Sequence, residues 1–218
     1  MTSKQFVIDE LSIKDSWRLF KIMAEFVEGF DTLKDIGPAV SIFGSARVKK
    51  DDHIYQLAYE IANKLAKSGY SIISGGGPGV MEAANKGAYD AKDSKSVGLH
   101  IHLPLEQKPN NFLNVRCDFK YFFVRKVMFI KYAMAYIVMP GGFGTLDEFS
   151  EALVLTQTKR IKPFPIILVG KDFWSPLIEW FKSRLLPRKY IKEQDFELFI
   201  VEDDPDEVVE LVKRLVII

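Results

Sequence analysis

Tyr136-Ile137-Val138-Met139-Pro140-Gly141-Gly142-Phe143-Gly144-Thr145-Leu146-Asp147-Glu148 sets a short apolar run against a glycine turn and the opening of a helix. A nearly continuous apolar run of this length, closed by Pro and Gly, reads as a strand buried on both faces. The same arrangement stands twice upstream. Ala39-Val40-Ser41-Ile42-Phe43 runs into Gly44-Ser45-Ala46-Arg47, and Tyr70 to Ser74 runs into Gly75-Gly76-Gly77-Pro78-Gly79. In a doubly wound sheet such loops gather at the carboxyl edge of the strands, where ligands bind. Glycine lets the backbone take positive φ and approach a ligand closely, and the first turn of the next helix offers unpaired amides and a positive dipole end. Three such loops at one edge predict a shared site for a phosphate group.

Working outward, the alternation of strand and helix continues. An N-terminal helix is expected from Ile13 to Phe30, with one apolar stripe through Ile13, Trp17, Phe20, Ala24 and Val27 and a second through Leu19, Met23, Phe26 and Phe30; Gly37 and Pro38 end it. Helices are expected over Ile54 to Lys67, after Pro78, through Met134, from Thr145, over Trp174 to Leu186 and over Asp206 to Val216. Further strands are expected at Ser96 to Ile101, near Phe119 to Phe123 and at Pro165 to Val169, with Pro187 to Asp204 a polar connection. The pattern predicts an α/β fold, a Rossmann-like doubly wound parallel sheet flanked by helices, with an extra N-terminal helix. No repeat or Gly/Ser linker divides it, so residues 1–218 are expected to form a single domain, with 1–36 a helical arm, 38–170 the motif-bearing core and 171–218 C-terminal helices.

Composition narrows the function. The 30 Lys and Arg nearly cancel the 29 Asp and Glu, so no basic excess is present to hold a nucleic acid polymer. One cysteine, Cys117, and three histidines, His53, His100 and His102, assemble no Cys/His zinc constellation, and no metal site is expected. The N-terminal stretch mixes charges through its apolar residues, and no apolar run of about 18 residues is present, which predicts a cytoplasmic protein without a membrane span.

The loops depart from the common nucleotide templates. Gly75-x-Gly77-x-x-Val80 and Gly142-x-Gly144-x-x-Asp147 lack the third glycine of the dinucleotide fingerprint, and no Gly-Lys-Ser/Thr of a P-loop occurs. A single phosphate, as on a nucleoside monophosphate, suits Gly141 to Thr145, where the Thr145 hydroxyl adds a donor. Thr145-Leu146-Asp147-Glu148 fits a capping box in which Glu148 folds back on the Thr145 amide. Arg125 and Lys126 are expected to start the helix that leads into the Tyr136 to Met139 strand, where cations oppose the dipole and so point to an anionic partner. Glu82 stands in the first turn of the helix after Gly79, where a carboxylate is favourable in its own right. His100 and His102 alternate on one side of a strand end and are given no role. The run Val127 to Met134 is apolar almost all round, which predicts a subunit interface and a homodimer or larger homo-oligomer.

Gly75-Gly76-Gly77-Pro78-Gly79-Val80-Met81-Glu82-Ala83-Ala84-Asn85, then Arg125-Lys126, then the Pro140 to Glu148 element resemble, in that order, the LOG (Lonely Guy) family of Rossmann-like proteins. Characterised members of that family are cytokinin riboside 5′-monophosphate phosphoribohydrolases, and many members carried the earlier label of lysine decarboxylases. The resemblance covers about Pro38 to Val169. It implies a hydrolase that cuts the N-glycosidic bond of a nucleoside 5′-monophosphate, such as AMP or a cytokinin riboside monophosphate, without a cofactor. Arg125 and Glu148 are implied as the catalytic pair. The expected binding set is Gly44, Ser45, Gly75, Gly76, Gly77, Gly79, Met81, Glu82, Lys126, Gly141, Gly142, Gly144 and Thr145, with Phe112, Phe119 and Tyr121 available to stack on a base. Two other readings compete: a nucleotide-binding sensor without turnover, and a lysine decarboxylase, which needs a Schiff-base lysine for pyridoxal phosphate that no lysine context here supplies.

Overall fold

The computed structural model describes residues 14–102, 108–161 and 164–216, with side chains from Trp17 onward. Ile13, placed on the first helical stripe, lies outside the described residues. Seven parallel strands form one sheet: β1 (Ala39–Phe43), β2 (Ser71–Ser74), β3 (Ser96–Ile101), β4 (Val115–Phe119), β5 (Ala133–Val138), β6 (Ile166–Leu168) and β7 (Ile200–Val201), in the order β4-β3-β2-β1-β5-β6-β7. The order reverses at β1, so the loops after β1, β2 and β5 lie side by side at the switch point of the sheet. The expected α/β doubly wound architecture is the observed one.

Side-chain alternation along each strand feeds two separate cores. Val40, Ile42, Ile72, Ala135, Ile137 and Ile167 point to one face, where α2 (His53–Lys67), α3 (Val80–Ala91) and α7 (Pro205–Leu215) cover them. Phe43, Ile73, Leu99, Tyr136, Val138 and Leu168 point to the other, under α1 (Lys14–Leu33), α4 (Phe122–Tyr132), α5 (Phe143–Gln157) and α6 (Lys171–Trp180). Helix termini follow local chemistry. Asp52 accepts from the Ile54 amide at 2.8 Å at the start of α2, and Asp204 accepts from Asp206 and Glu207 at 2.9 and 3.1 Å at the start of α7, where Pro205 stands at the first helical position. Trp174, wholly buried on α6, donates its indole N–H to the Val169 carbonyl at 3.0 Å and so fixes α6 to the end of β6.

Several boundaries differ from the sequence expectation, and three are instructive. The strand expected near Phe119 to Phe123 lies earlier, at Val115–Phe119, and Phe122 already begins α4. The aromatic run Tyr121-Phe122-Phe123 has high strand propensity, but Cys117 and Phe119 are the residues that reach the core. The helix expected through Met134 stops at Tyr132, and β5 begins at the next residue, where Ala133 turns extended and donates its amide to the Phe129 carbonyl. Because the apolar run crosses that junction unbroken, periodicity carries no mark of it. The connection Pro187 to Asp204 holds a 3₁₀ helix (Glu193–Leu198) and the two-residue strand β7, too short to leave a pattern.

Gly79 sets the approach of α3 to the β1 loop. It takes φ +68°, ψ −130° at the N-cap, and a Cβ there would meet the Ser45 carbonyl oxygen and lie 2.7 Å from the carbonyl carbon of Ala46. We expect Gly79→Ala to cost about 2 kcal/mol or more of stability and to lower Tm by about 4–8 °C for a chain of this size, measured by calorimetry. An unchanged Tm would mean that the loop relaxes without cost.

Candidate active site

The glycine loops are tied to each other through Ser45. Its amide donates to the Pro140 carbonyl at 3.0 Å, its carbonyl accepts from the Val80 amide at 3.0 Å, and its hydroxyl accepts from the Arg47 amide at 3.1 Å. The Met139 amide donates to the Phe43 carbonyl at 2.8 Å, carrying the β1–β5 ladder on into the loops. The β2 loop is held from beneath by a buried polar network. Ser74 Oγ accepts from the Gly76 amide at 3.0 Å and donates to Asn85 Oδ1 at 2.6 Å, and Asn85 Nδ2 donates to Ser96 Oγ and the Val97 carbonyl at 3.0 and 3.1 Å. Asn110 closes the network from the β3–β4 connection, donating to Asn85 Oδ1 at 2.9 Å and to the Gly77 carbonyl at 3.0 Å. Every polar group of Asn85 therefore has a partner, which is what allows it to be wholly buried.

Above these loops lies a cavity of about 710 Å³. Of the residues expected to bind substrate, Gly44, Ser45, Gly75, Gly77, Met81, Gly142, Gly144 and Thr145 line it, as do Arg125 and Glu148. Gly76, Gly79, Glu82, Lys126 and Gly141 do not. Gly141 packs against the Thr145 side chain, so that glycine is needed behind the wall. Glu82 turns away to accept from Tyr55 Oη at 3.2 Å and to pair with Lys50 Nζ at 2.7 Å. The Lys126 ammonium is held by Asp147 at 2.8 Å and Glu151 at 2.9 Å; burial opposes its charge, but the two carboxylates more than offset this and its pKa stands above the ordinary value. The aromatic expectations move as well. Phe119 is a core residue and Phe112 packs on Tyr89, while Phe43, Phe122, Phe129 and Phe143 face the cavity. Ala46, Arg47, His100, Ile101 and Leu146 are the other wall residues not foreseen as site residues; the alternation of His100 with His102 was the signal available for one of them.

The capping box is not formed. α5 begins at Phe143 with Gly142 as its cap, no side chain caps its first turn, and the amides of Thr145 and Leu146 both donate to the Gly142 carbonyl at 3.0 Å. Thr145 thus stands in the third helical position, and Glu148 lies one turn further in and points inward. Glu148 is only 4% exposed, and its Oε2 has no hydrogen-bond partner among the described residues. Burial raises its carboxyl from an ordinary 4.5 to about 7, against the pull of Lys126 and Arg125. Arg125, on the first turn of α4, lies with its guanidinium carbon 5.2 Å from the Phe122 ring centroid and 5.7 Å from that of Phe129. Its Nε is buried without a partner among the described residues. A Cβ at Gly75 would lie 2.7 Å from Met81 Sδ and 3.9 Å from Arg125 Nη1, so the bare glycine leaves Met81 its place and brings the β2 loop beside the guanidinium. Burial lowers the Arg125 pKa and Glu148 and Asp147 hold it up, yet guanidinium stays charged in proteins. The site therefore joins an uncapped helix N-terminus, a half-buried cation and a buried carboxyl, both with unused hydrogen-bonding capacity. That combination suits an anionic ligand whose reaction needs a proton acceptor or a negative charge beside a developing cation.

The fold and this loop cluster define a Rossmann-like α/β protein. A family model described as "Possible lysine decarboxylase" matches residues 81–212. The chain belongs to that family, the LOG family whose motifs it carries. An uncharacterized protein of Archaeoglobus fulgidus is 33% identical over 126 residues, which cover 55% of this chain and 78% of that one. The pyrimidine/purine nucleotide 5′-monophosphate nucleosidase of Escherichia coli is 27% identical over 140 residues, covering 60% of this chain but 30% of that protein. Among solved structures, the molybdenum cofactor binding protein of Rippkaea orientalis superposes with a TM-score of 0.60 at 20% identity, covering 83% of this chain and 98% of that one. A likeness at that identity concerns the fold alone.

The raised Glu148 pKa fixes the sign of a pH effect. Between about 4.5 and 7 the native state holds a proton that the unfolded chain has lost, so stability falls as pH rises through that window. Glu148→Gln cannot ionise. Denaturant unfolding at pH 5 and pH 8 is expected to show the unaltered protein losing about 2 kcal/mol more than the variant over that interval. Equal losses would show that the native carboxyl titrates at its ordinary value.

Proposed function

We propose that this protein is a nucleoside 5′-monophosphate phosphoribohydrolase, releasing free base and ribose 5-phosphate. The observation that carries the reading is the buried Glu148 with an unpartnered oxygen, facing the same cavity as Arg125 and the uncapped start of α5. The Escherichia coli relative, named a pyrimidine/purine nucleotide 5′-monophosphate nucleosidase, supports the same reaction class. In this reading the phosphate sits on the Gly142 to Thr145 turn, where helix amides and dipole favour it. The C1′–N bond breaks with its electron pair leaving on the base, and positive charge develops on the sugar. The Glu148 carboxylate stabilises that charge and takes a proton from the water whose oxygen bonds to C1′. Arg125 donates to the phosphate or ribose, or stabilises the negative charge of the departing base.

AMP and cytokinin riboside monophosphates are the substrates proposed first. Lysine decarboxylation does not fit the wall: no described lysine lines the cavity, and Lys126 is committed to Asp147 and Glu151, so among the described residues no lysine is placed to form the Schiff base of pyridoxal phosphate. We further propose that the chain works as a single-domain cytoplasmic homodimer. α4 contributes less to a dimer face than its sequence predicts, since Met128 and Phe129 are buried beneath it. The exposed apolar surface lies instead on α1, at Trp17, Phe20, Met23 and Val27, with Phe123 and Val127 added by α4, which packs against α1. A patch of this kind marks an interface, and a second copy of the same face is self-complementary.

Incubation with a panel of nucleoside monophosphates and the matching nucleosides, following free base by chromatography, is expected to show base released from the monophosphates. Glu148→Gln is expected to lower kcat/KM by about 10²–10⁴-fold, and turnover by the unaltered protein to rise with pH through about 7 as the carboxylate forms. Nucleotides that raise Tm yet stay intact would refute the hydrolase in favour of a sensor. In light scattering, Phe20→Glu combined with Met23→Glu is expected to turn the dimer into a folded monomer, and an unchanged mass would exclude α1 as the interface.

A further inference from the structure

The cavity holds three charged side chains besides His100: Arg47, Arg125 and Glu148. Arg125 stands beside Glu148, whose ionised form offsets its charge, and Lys126 is held outside by two carboxylates. A phosphate on the α5 turn would thus meet the partial charge of the helix end, roughly half a unit, and, once Glu148 ionises, little other net positive charge unless Arg47 supplies it. Arg47 is exposed, and among the described residues no carboxylate lies within ion-pairing distance of it. Its place is fixed by the backbone. The Arg47 amide donates to Ser45 Oγ at 3.1 Å, and the Ser45 amide donates to the Pro140 carbonyl at 3.0 Å, immediately before Gly141. Two hydrogen bonds therefore tie the backbone of Arg47 to the turn on which the phosphate is proposed to rest.

We propose that Arg47 is the specificity-determining cation of this site: it clamps the 5′-phosphate from the β1 side and makes the protein select phosphorylated ribosides over free nucleosides. The inference rests on the phosphoribohydrolase reading for its substrate and extends it to a residue outside the LOG motifs found in the sequence. Guanidinium suits the task because its planar fork donates two parallel hydrogen bonds to phosphate oxygens, whereas an ammonium offers a point charge. With no carboxylate of the described residues paired to it, that fork is available to an anion entering the cavity.

The test uses ribose 5-phosphate as probe, measured by isothermal calorimetry, beside kinetics on one nucleoside monophosphate and its nucleoside. Arg47→Gln is expected to weaken ribose 5-phosphate binding about tenfold or more, the scale of one charged hydrogen-bonding partner, and Arg47→Lys to recover part of the loss. The ratio of kcat/KM for monophosphate over nucleoside is expected to fall by a similar factor, carried mainly by KM. Lys50→Gln removes the same charge at a residue paired with Glu82 outside the cavity and is expected to leave ribose 5-phosphate affinity unchanged. An Arg47→Gln affinity within about twofold of the unaltered protein, less than 0.5 kcal/mol, would overturn the proposal, as would an equal loss in Lys50→Gln or no binding of ribose 5-phosphate by the unaltered protein. Calorimetry needs no turnover, so absence of base release would defeat the hydrolase reading while the binding comparison still decides the role of Arg47.

Discussion

The site depends on the backbone of one serine. Ser45 stands where β1 ends, and its amide and carbonyl are spent on the β5 loop and the first residue of α3 respectively. Three chain segments far apart in sequence are thereby fixed against each other by two hydrogen bonds of 3.0 Å and by the contact at Gly79 that permits them. Backbone groups are the right material for this tie. They leave the Ser45 hydroxyl for the Arg47 amide and the loop surfaces bare for a ligand, and a buried backbone pair is costly to break. The sheet supplies the rest, since a switch in strand order at β1 is what makes the loops after β1, β2 and β5 neighbours.

From that tie follows an electrostatic arrangement that stability alone would not select. α5 opens without a side-chain cap, although Ser, Thr, Asp or Asn at that position is commonly worth about 1 kcal/mol. Glu148 is buried with an unfilled oxygen, and Arg125 with an unfilled nitrogen. Each omission weakens the free protein and leaves a group ready for a ligand, the usual cost of function against stability. The neighbouring pair is built the opposite way. Lys126 has both of its carboxylates at hydrogen-bonding distance and belongs to the support of α4 on α5, which is why two adjacent basic residues of one motif end in different roles.

The fold was legible because its signals are periodic. Buried parallel strands alternating with amphipathic helices mark themselves along the chain, and glycine turns mark where the strands end. What escaped was aperiodic. The junction of α4 and β5 at Tyr132 and Ala133 has no loop and no change of polarity, and β7 has two residues. The glycine loops and the pair Arg125 and Glu148 stood out as motifs, yet the local reading of Thr145 to Glu148 as a capping box failed because the N-cap is Gly142, three residues before Thr145. Glu82 and Lys126 stand off the cavity wall for a related reason: sequence position shows that a charge is near a site but not which of several partners it meets. Asn85 closes the Gly75 to Asn85 motif, but nothing local shows that it holds the β2 loop, and Asn110 carries no signal beyond a polar residue in a loop.

The description attached to the family and the chemistry of the cavity point in different directions, and physical reasoning favours the cavity. A fold of this kind serves proteins as different as a molybdenum cofactor binding protein, so architecture alone selects no reaction. Decarboxylation through pyridoxal phosphate would need a lysine amine inside the wall; the wall offers a carboxyl raised to about 7 and a guanidinium between aromatic rings. A carboxyl at that value exchanges its proton near neutrality, which is the property a general base requires and a structural carboxylate does not. Its burial is an energetic cost borne at every pH above the window, and a ligand that develops positive charge beside it is what would recover that cost.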